Sequence, residues 1–448
     1  MTRIKDIIRM PLVRNTLKLS SSSLILTFLP LLVTPILSRL YTPADYGDWG
    51  VFSSVLYIVS AFVFLSYENT IVKTDDEREI PILITLCLLA LFFVSLGVFV
   101  VFKGGALLGF DFFVSFPCFP LLIPIIVFAG LYTLSTNIAN REKKYNSMAA
   151  SSIVQGVTQA VLRIILGVYP IISYGLIVGN LVAQALATTV LIISLGKFVS
   201  NYGFNSVSWQ SVKLAAVKYR KFPLFDAPAR FIEFAIGNLA IIILAQFWTK
   251  EDIGCFSMVT QFVLIPITII GSSMGNVYYR EISENYNDKE ALSRATTRVG
   301  KISFVLSVMP ILFLSLGGDR LFAMFLGGKW DNVAPISLCM VLFSVPVILS
   351  EPLLPIFRTL ERQEIRFRIN AVNFILALGM LIFMAIFTHN LYLSITIYSL
   401  VYAILRFIML HNELTLSGLK VRNLSKWFVI IIILCYCLAF IRIIPYII

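Results

Sequence analysis

The stretches LSRLYTPADYG (37–47) and LAQFWTKEDIG (244–254) align without a gap at an offset of 207 positions. They share Leu37 with Leu244, Thr42 with Thr249, Asp45 with Asp252 and Gly47 with Gly254, and they set Tyr41 opposite Trp248. Chance similarity between apolar, low-complexity stretches is the competing explanation. Against it, each copy follows the first apolar run of one half of the chain, and both halves run in the same direction. This pattern predicts a parallel repeat of six plus six helices, a transporter architecture with the substrate path between the halves near the membrane midplane. Within each copy, Thr followed three residues on by Asp, with Gly two further, supplies the cap and turn chemistry that opens the next helix.

Composition sets the solvent. Of the 448 residues 58% are hydrophobic and 13% charged, with a mean hydropathy of +0.89, whereas a soluble domain is nearly half apolar and about a quarter charged. A hydrocarbon core of about 30 Å needs roughly 20 apolar residues per helix. Spans are predicted at 17–40, 46–67, 80–102, 117–139, 148–169, 172–195, 226–248, 254–278, 299–318, 335–357, 367–388, 391–411 and 426–447. The fold class expected is an all-α polytopic membrane protein of two six-helix lobes plus an extra C-terminal transmembrane helix. Its parts are a basic cytoplasmic N-terminus (1–16), an N-lobe (17–195), a cytoplasmic linker (196–225), a C-lobe (226–411) and a C-terminal extension (412–448).

Charge sets the orientation. The net charge of +12 sits in short connections such as NREKKY (140–145) and KYRKF (218–222), which is the positive-inside pattern and places the N-terminus in the cytoplasm. Membrane topology accounts for these cations without nucleic acid. The basic lead of Arg3, Lys5, Arg9 and Arg14 precedes an apolar run that is too long for a secretory signal and lacks a small-x-small cleavage site, so a retained first helix is expected. All six cysteines fall in apolar runs, where Cys packs as a small hydrophobe.

Several stretches resemble a known family. LLVTPILSRLYTPADYGDWGVFSSV (31–55), SYENTIVKTDDERE (66–79), NREKKYNSMAASSIVQGVTQAVLRIILG (140–167), the run from Tyr219 to Glu284 and LFAMFLGGKW (321–330) are similar, in that order, to the polysaccharide repeat-unit flippases. These form the Wzx-type branch of the multidrug/oligosaccharidyl-lipid/polysaccharide superfamily. The resemblance implies export of an undecaprenyl-diphosphate-linked oligosaccharide across the bacterial inner membrane for polysaccharide or O-antigen biosynthesis. It also implies membrane lipid, a polysaccharide polymerase and chain-length machinery as partners. The thirteenth span departs from the family's even count. Rival readings are a cation-coupled multidrug exporter of the same superfamily and a membrane-embedded polymerase or ligase, which would need a sizeable outer loop carrying catalytic groups.

No bond-making chemistry is visible. GGKW (327–330) lacks the spacing of a phosphate-cradling loop, and the only histidines, His389 and His411, lie far apart, so no catalytic residue, metal site or cofactor is expected. KTDDERE (73–79) contains adjacent carboxylates that suit a hard cation, but Lys73 and Arg78 make it read as a self-neutralising loop. Energy would come from a proton or sodium gradient or from the membrane potential.

Polar residues inside apolar runs are the remaining signal, because ionisable groups at membrane depth generally face a cavity or a partner. Ser152, Gln155, Gln159 and Arg163 recur every three or four residues, one stripe on a helix. A water-filled cavity is favoured for it over snorkelling of Arg163 to the surface. FPLFDAPARFIEF (222–234) reads as a helix start with Asp226 as N-cap and Pro228 in the first turn. Arg230 then lies one turn in, spaced to pair with Asp226 and Glu233, and the alternative is a switchable pair lining an inner vestibule. Arg163, Arg230, Gln155, Gln159 and Arg39 are the candidate substrate-binding residues, with Arg39 also readable as an interface anchor. Asp226, Glu233, Glu68 and Glu351 are the candidate coupling residues. Glu68 matches the family's Tyr-Glu pair as Tyr67-Glu68, and Glu351 precedes the helix-breaking Pro352.

Overall fold

The computed structural model describes residues 29–74, 76–170, 173–199, 202, 204, 207–284, 288–419 and 426–447, and among them every regular element is helical. The N-terminal segment 1–16 and most of the first expected span lie outside the described residues. Among the described residues, nine helices are long and apolar enough to cross a membrane, or ten if one bent pair counts as a single span. Thirteen were expected; the first lies mostly outside the described residues, 254–278 falls within the unbroken helix Lys250–Glu284, and two others are interrupted by helix breaks. The span at 46–67 divides into α2 (Pro43–Ser60) and α3 (Glu68–Lys73). The chain between them passes through Leu65 at φ 51° and Ser66 at φ 63°, a left-handed region costly for residues with a Cβ. The span at 335–357 is likewise broken, bending by 48° between Val333–Val341 and Ser344–Thr359.

The described residues divide into two compact units. One comprises the chain up to Tyr41 with Asp48–Phe234, and the other Thr42–Gly47 with Ala235–Ile448. By packing, the division falls inside α9 (Ala227–Leu244). The reason is continuity. Phe222–Asp226 forms a π-helical turn that runs directly into α9, so a single rod carries the chain from one packing environment to the next.

The first unit contains α1 (Leu29–Leu40), α2 from Asp48 onward, α3, α4 (Ile80–Leu107), α5 (Phe119–Arg141), α6 (Tyr145–Val168), α7 (Gly175–Val199), α8 (Trp209–Lys218) and the start of α9. Pro81 stands in the first turn of α4 and Pro120 in that of α5, where a missing N–H costs nothing. The predicted linker holds α8, opened by a capping box in which Ser208 and Ser211 exchange bonds of 3.0 and 3.1 Å. Its Val212 and Ala215 are buried, while Trp209, Leu214 and Val217 are exposed.

The second unit adds α10 (Lys250–Glu284), α11 (Lys289–Phe313), α12 (Asp319–Leu326), α13 (Val333–Val341), α14 (Ser344–Ser350), a 3₁₀ turn (Glu351–Leu353), α15 (Pro355–Thr359), α16 (Gln363–Thr388), α17 (Leu391–Leu416) and α18 (Lys426–Ile447). Asp288 caps α11 and Asn390 caps α17. The C-terminal helix α18 returns to the end of the unit where α17 begins. There the Asn390 side chain donates to the Ile447 carbonyl at 3.2 Å, and the Tyr392 and Tyr446 rings lie 5.8 Å apart. Cys435, Ala439 and Ile443, four residues apart, form its buried face.

Candidate functional site

The polar stripe of α6 faces α7. Gln155 Nε2 donates to Gln184 Oε1 at 2.6 Å, and Gln159 Nε2 to Asn180 Oδ1 at 3.2 Å. One turn further, Arg163 Nε donates to the Leu176 carbonyl at 3.2 Å, and the guanidinium stacks 4.4 Å over the Trp49 ring. The side chain is only 6% exposed, and Tyr41 holds its backbone by donating to the Arg163 carbonyl at 2.8 Å. The stripe expected to face a water-filled cavity thus has half-buried glutamines whose amides bond to α7. Asn180 and Gln184 recur with matching spacing on α7, so the two helices zip together through interhelical hydrogen bonds worth about 0.6 kcal/mol each. Snorkelling of Arg163 is excluded, because Trp49 covers the cation and holds it through the ring quadrupole. Trp49 lies within the predicted span 46–67, but its aromatic face carries no polar signal.

Arg230 is differently placed. Its guanidinium forms an ion pair with Glu68, whose side chain is 4% exposed while that of Arg230 is 34% exposed. Glu68 stands at the start of α3, immediately after the strained turn that breaks the second span, and its Oε2 is buried without a hydrogen-bond partner. Beside it Asn69 Nδ2 donates to Asp226 Oδ2 at 3.2 Å. These contacts correct two expectations. Asp226 is not an N-cap, because the π turn continues the helix on its N-terminal side and leaves its carboxylate free to meet Asn69. The principal acid of Arg230 is the distant Glu68, not a helix neighbour. Glu233 is exposed on α9. Sequence reasoning passed over Asn69, although a second polar residue directly after Glu68 was the available signal.

The same end of the unit is tied by a second set of bonds. Arg141 Nη1 donates to the carbonyls of Ile71 and Thr74 at 2.8 and 2.5 Å, satisfying the C-terminal end of α3. Lys218 pairs with Glu79, which raises the pKa of its ammonium, and Tyr219 donates to the same carboxylate at 2.7 Å. The KTDDERE segment is thus partly built into the fold through Glu79. Arg39 stays on the exposed surface of α1 and donates to the Pro35 carbonyl at 2.6 Å within its own helix.

In the second unit Glu351 opens the 3₁₀ turn and accepts from Arg406 Nη2 at 3.1 Å. Its Cγ packs where a Cβ on Gly271 would come within 2.5 Å. Glu413, fully buried on α17, accepts from the Ser350 hydroxyl at 2.9 Å. Asp319, also fully buried, receives Arg442 of α18 at 2.7 Å, and Arg442 Nη1 donates to the Ser315 carbonyl at 3.3 Å. Arg406 and Arg442 each lie within a predicted span, and the rule that intramembrane charge has a partner flags both from sequence.

Comparison with known proteins follows the same outline. The family described as polysaccharide biosynthesis protein matches residues 36–335. Among solved structures, the lipid II flippase MurJ in an inward closed conformation superposes with a TM-score of 0.69 at 14% identity, over 94% of this chain and 97% of that one. A multidrug resistance MATE family transporter of the MOP superfamily, inward-facing, gives 0.63 at 14% identity over 89% and 96%. A MOP superfamily transporter from Pyrococcus furiosus gives 0.57 at 13% identity over 91% and 96%. No curated protein matches the sequence. At these identities the structural likeness establishes the fold, that of the MOP transporters.

Proposed function

This chain belongs to the family of polysaccharide biosynthesis proteins, and on that premise we propose that it is a flippase. It moves undecaprenyl-diphosphate-linked oligosaccharide repeat units from the cytoplasmic to the periplasmic leaflet of the bacterial inner membrane by alternating access. The observation that carries this reading is the Arg230–Glu68 pair. A cation with one third of its side chain open is held against a carboxylate that is sealed from solvent, an arrangement that presents positive charge to an arriving anion. A guanidinium recognises phosphate oxygens through its planar fork, and the diphosphate competes with Glu68 for it.

The chemistry of the substrate fits a path of this kind. The diphosphate and sugars require a polar route, while the polyprenyl tail stays in lipid. Carrying two negative charges outward is assisted by an inside-negative potential, about 2.3 kcal/mol per charge per 100 mV. Arg163, fixed beneath Trp49, holds the packing of the N-terminal half, and Arg230 is the residue that meets the headgroup. The N-terminus lies in the cytoplasm, and the polymerase and chain-length machinery receive the product on the other side.

Deletion followed by analysis of lipid-linked intermediates tests the proposal. Complete repeat units should accumulate on the cytoplasmic leaflet and the surface polymer should be lost. Accumulation on the outer leaflet would point instead to a polymerase, and unchanged intermediates to an exporter of another substrate.

A further inference from the structure

Buried charge in the second unit has no part in headgroup recognition as derived above. Two carboxyl groups, Glu351 and Glu413, share one cluster with Arg406. The guanidinium hydrogen-bonds to Glu351 at 3.1 Å, and the side chains of Arg406 and Glu351 are 14% and 27% exposed. Glu413 lies two helical turns beyond Arg406 on the same helix and is 0% exposed. Its Oε1 accepts from Ser350, whereas Oε2 is buried with no hydrogen-bond partner, as is Arg406 Nε. The other groups whose charge reaches Glu413 are Arg366 on α16 and the hydroxyl of Tyr278 on α10, the latter bonded to Thr296 at 2.8 Å. Tyr278, Leu353, Ile356, Phe357, Met409 and Leu414 belong to one buried apolar core of the same unit, and Met409 and Leu414 stand beside Glu413 along α17.

A sealed carboxylate with one oxygen unmatched is strongly disfavoured, and one bound proton removes that charge. Ser350 satisfies one oxygen in either state. Arg406 is engaged by the outer carboxylate, Glu351, which is the more open of the two. We propose that Glu413 is the site where this protein takes up and releases a proton during its transport cycle, with Arg406 and Glu351 as the charge pair that governs the exchange. In the step itself the O–H bond of the Glu413 carboxyl breaks, its electron pair remains on the oxygen, and the proton leaves to water on the Glu351 side. The reverse step reloads the carboxyl. This rests on the transport reading for its purpose but not for its detection.

The test uses purified full-length protein in lipid nanodiscs without substrate, followed by infrared difference spectroscopy from alkaline to acidic pH. A carbonyl band of a protonated carboxyl group should grow on acidification and be lost in Glu413→Gln, which keeps the size and the acceptor for Ser350. In Glu351→Gln the band should remain with its midpoint moved to lower pH by roughly one unit, because removal of the neighbouring anion leaves Arg406 to favour the ionised form. Ser350→Ala, which leaves Glu413 untouched, should move the midpoint upward by removing a donor to the ionised form. An identical band in Glu413→Gln, or no band in the wild type, overturns the proposal. The expected spectra together with normal lipid-linked intermediates in a deletion strain would retain the proton site and reject the flippase assignment.

Discussion

Gly47 and Gly254, equivalent positions of the internal repeat, each lie where the other copy's backbone passes. A Cβ on Gly47 would stand 2.1 Å from the Lys250 carbonyl oxygen, and one on Gly254 would stand 1.7 Å from that of Pro43. The neighbouring caps are also alike. Thr42 and Asp45 share a bond of 2.7 Å, and Thr249 and Asp252 one of 2.8 Å. The repeat therefore encodes a helix start and, two residues after the acid, a glycine whose missing side chain admits the partner strand of backbone. Neither Gly47 nor Gly254 has a positive φ, so close approach and not conformational freedom is the reason for glycine here.

Gly254→Ala and Gly47→Ala should each destabilise the protein by overpacking, about 1–3 kcal/mol. Because both alter one contact, the double variant should lose less than the sum of the singles. Thermal unfolding in detergent measures this, and full additivity would separate the two sites.

Arg230→Ala leaves Glu68 buried without its cation and should lower stability by roughly 3 kcal/mol. Adding Glu68→Gln removes the stranded charge and should restore most of the melting temperature. Export, scored by surface polymer, should stay lost in the double variant, since the headgroup cation is gone. Recovery of export would reduce the pair to a structural one.

Arg163→Ala and Trp49→Leu remove the two halves of one desolvated cation–π contact, worth about 2 kcal/mol. Arg163→Lys keeps the charge over the ring but loses the fork and the Leu176 bond, so it should fall between wild type and Arg163→Ala in melting temperature. A double-mutant cycle of Arg163 with Trp49 should show coupling, whereas independence of the two would mean that the stacking contributes little.

Arg442→Leu strands the fully buried Asp319 and should cost roughly 3 kcal/mol. Asp319→Asn in that background should recover part of it. Truncation before Lys426 should behave like Arg442→Leu and respond to Asp319→Asn in the same direction. A truncated chain as stable as the full one would show that α18 is a dispensable appendage.

The second α6 partner offers a cheaper check. Gln184→Leu leaves Gln155 with an unmatched amide at half-buried depth and should cost about 1 kcal/mol, while Gln155→Leu with Gln184→Leu should be close to neutral. Melting curves distinguish this zipped seam from a hydrated cavity, where neither single change should matter.

The sequence by itself determined the solvent, the helical class, the internal repeat and the family resemblance, because each depends on local composition or spacing along one segment. A run such as 80–102 has to be a helix wherever it packs, since in lipid its backbone groups can be satisfied only within the segment. Thr-x-x-Asp forms the same cap in both copies for the same local reason. Tertiary structure alone decided the partners. Whether Gln155 met water or Gln184 depended on the rotation of α7. Arg230 reached past Asp226 and Glu233 because a strained turn at Leu65 and Ser66, invisible in the apolar pattern, ends α2 early and delivers Glu68 from far along the chain. A charge at membrane depth must find a countercharge or a polar group, so sequence reveals the need, and only the packing of distant helices settles which residue meets it.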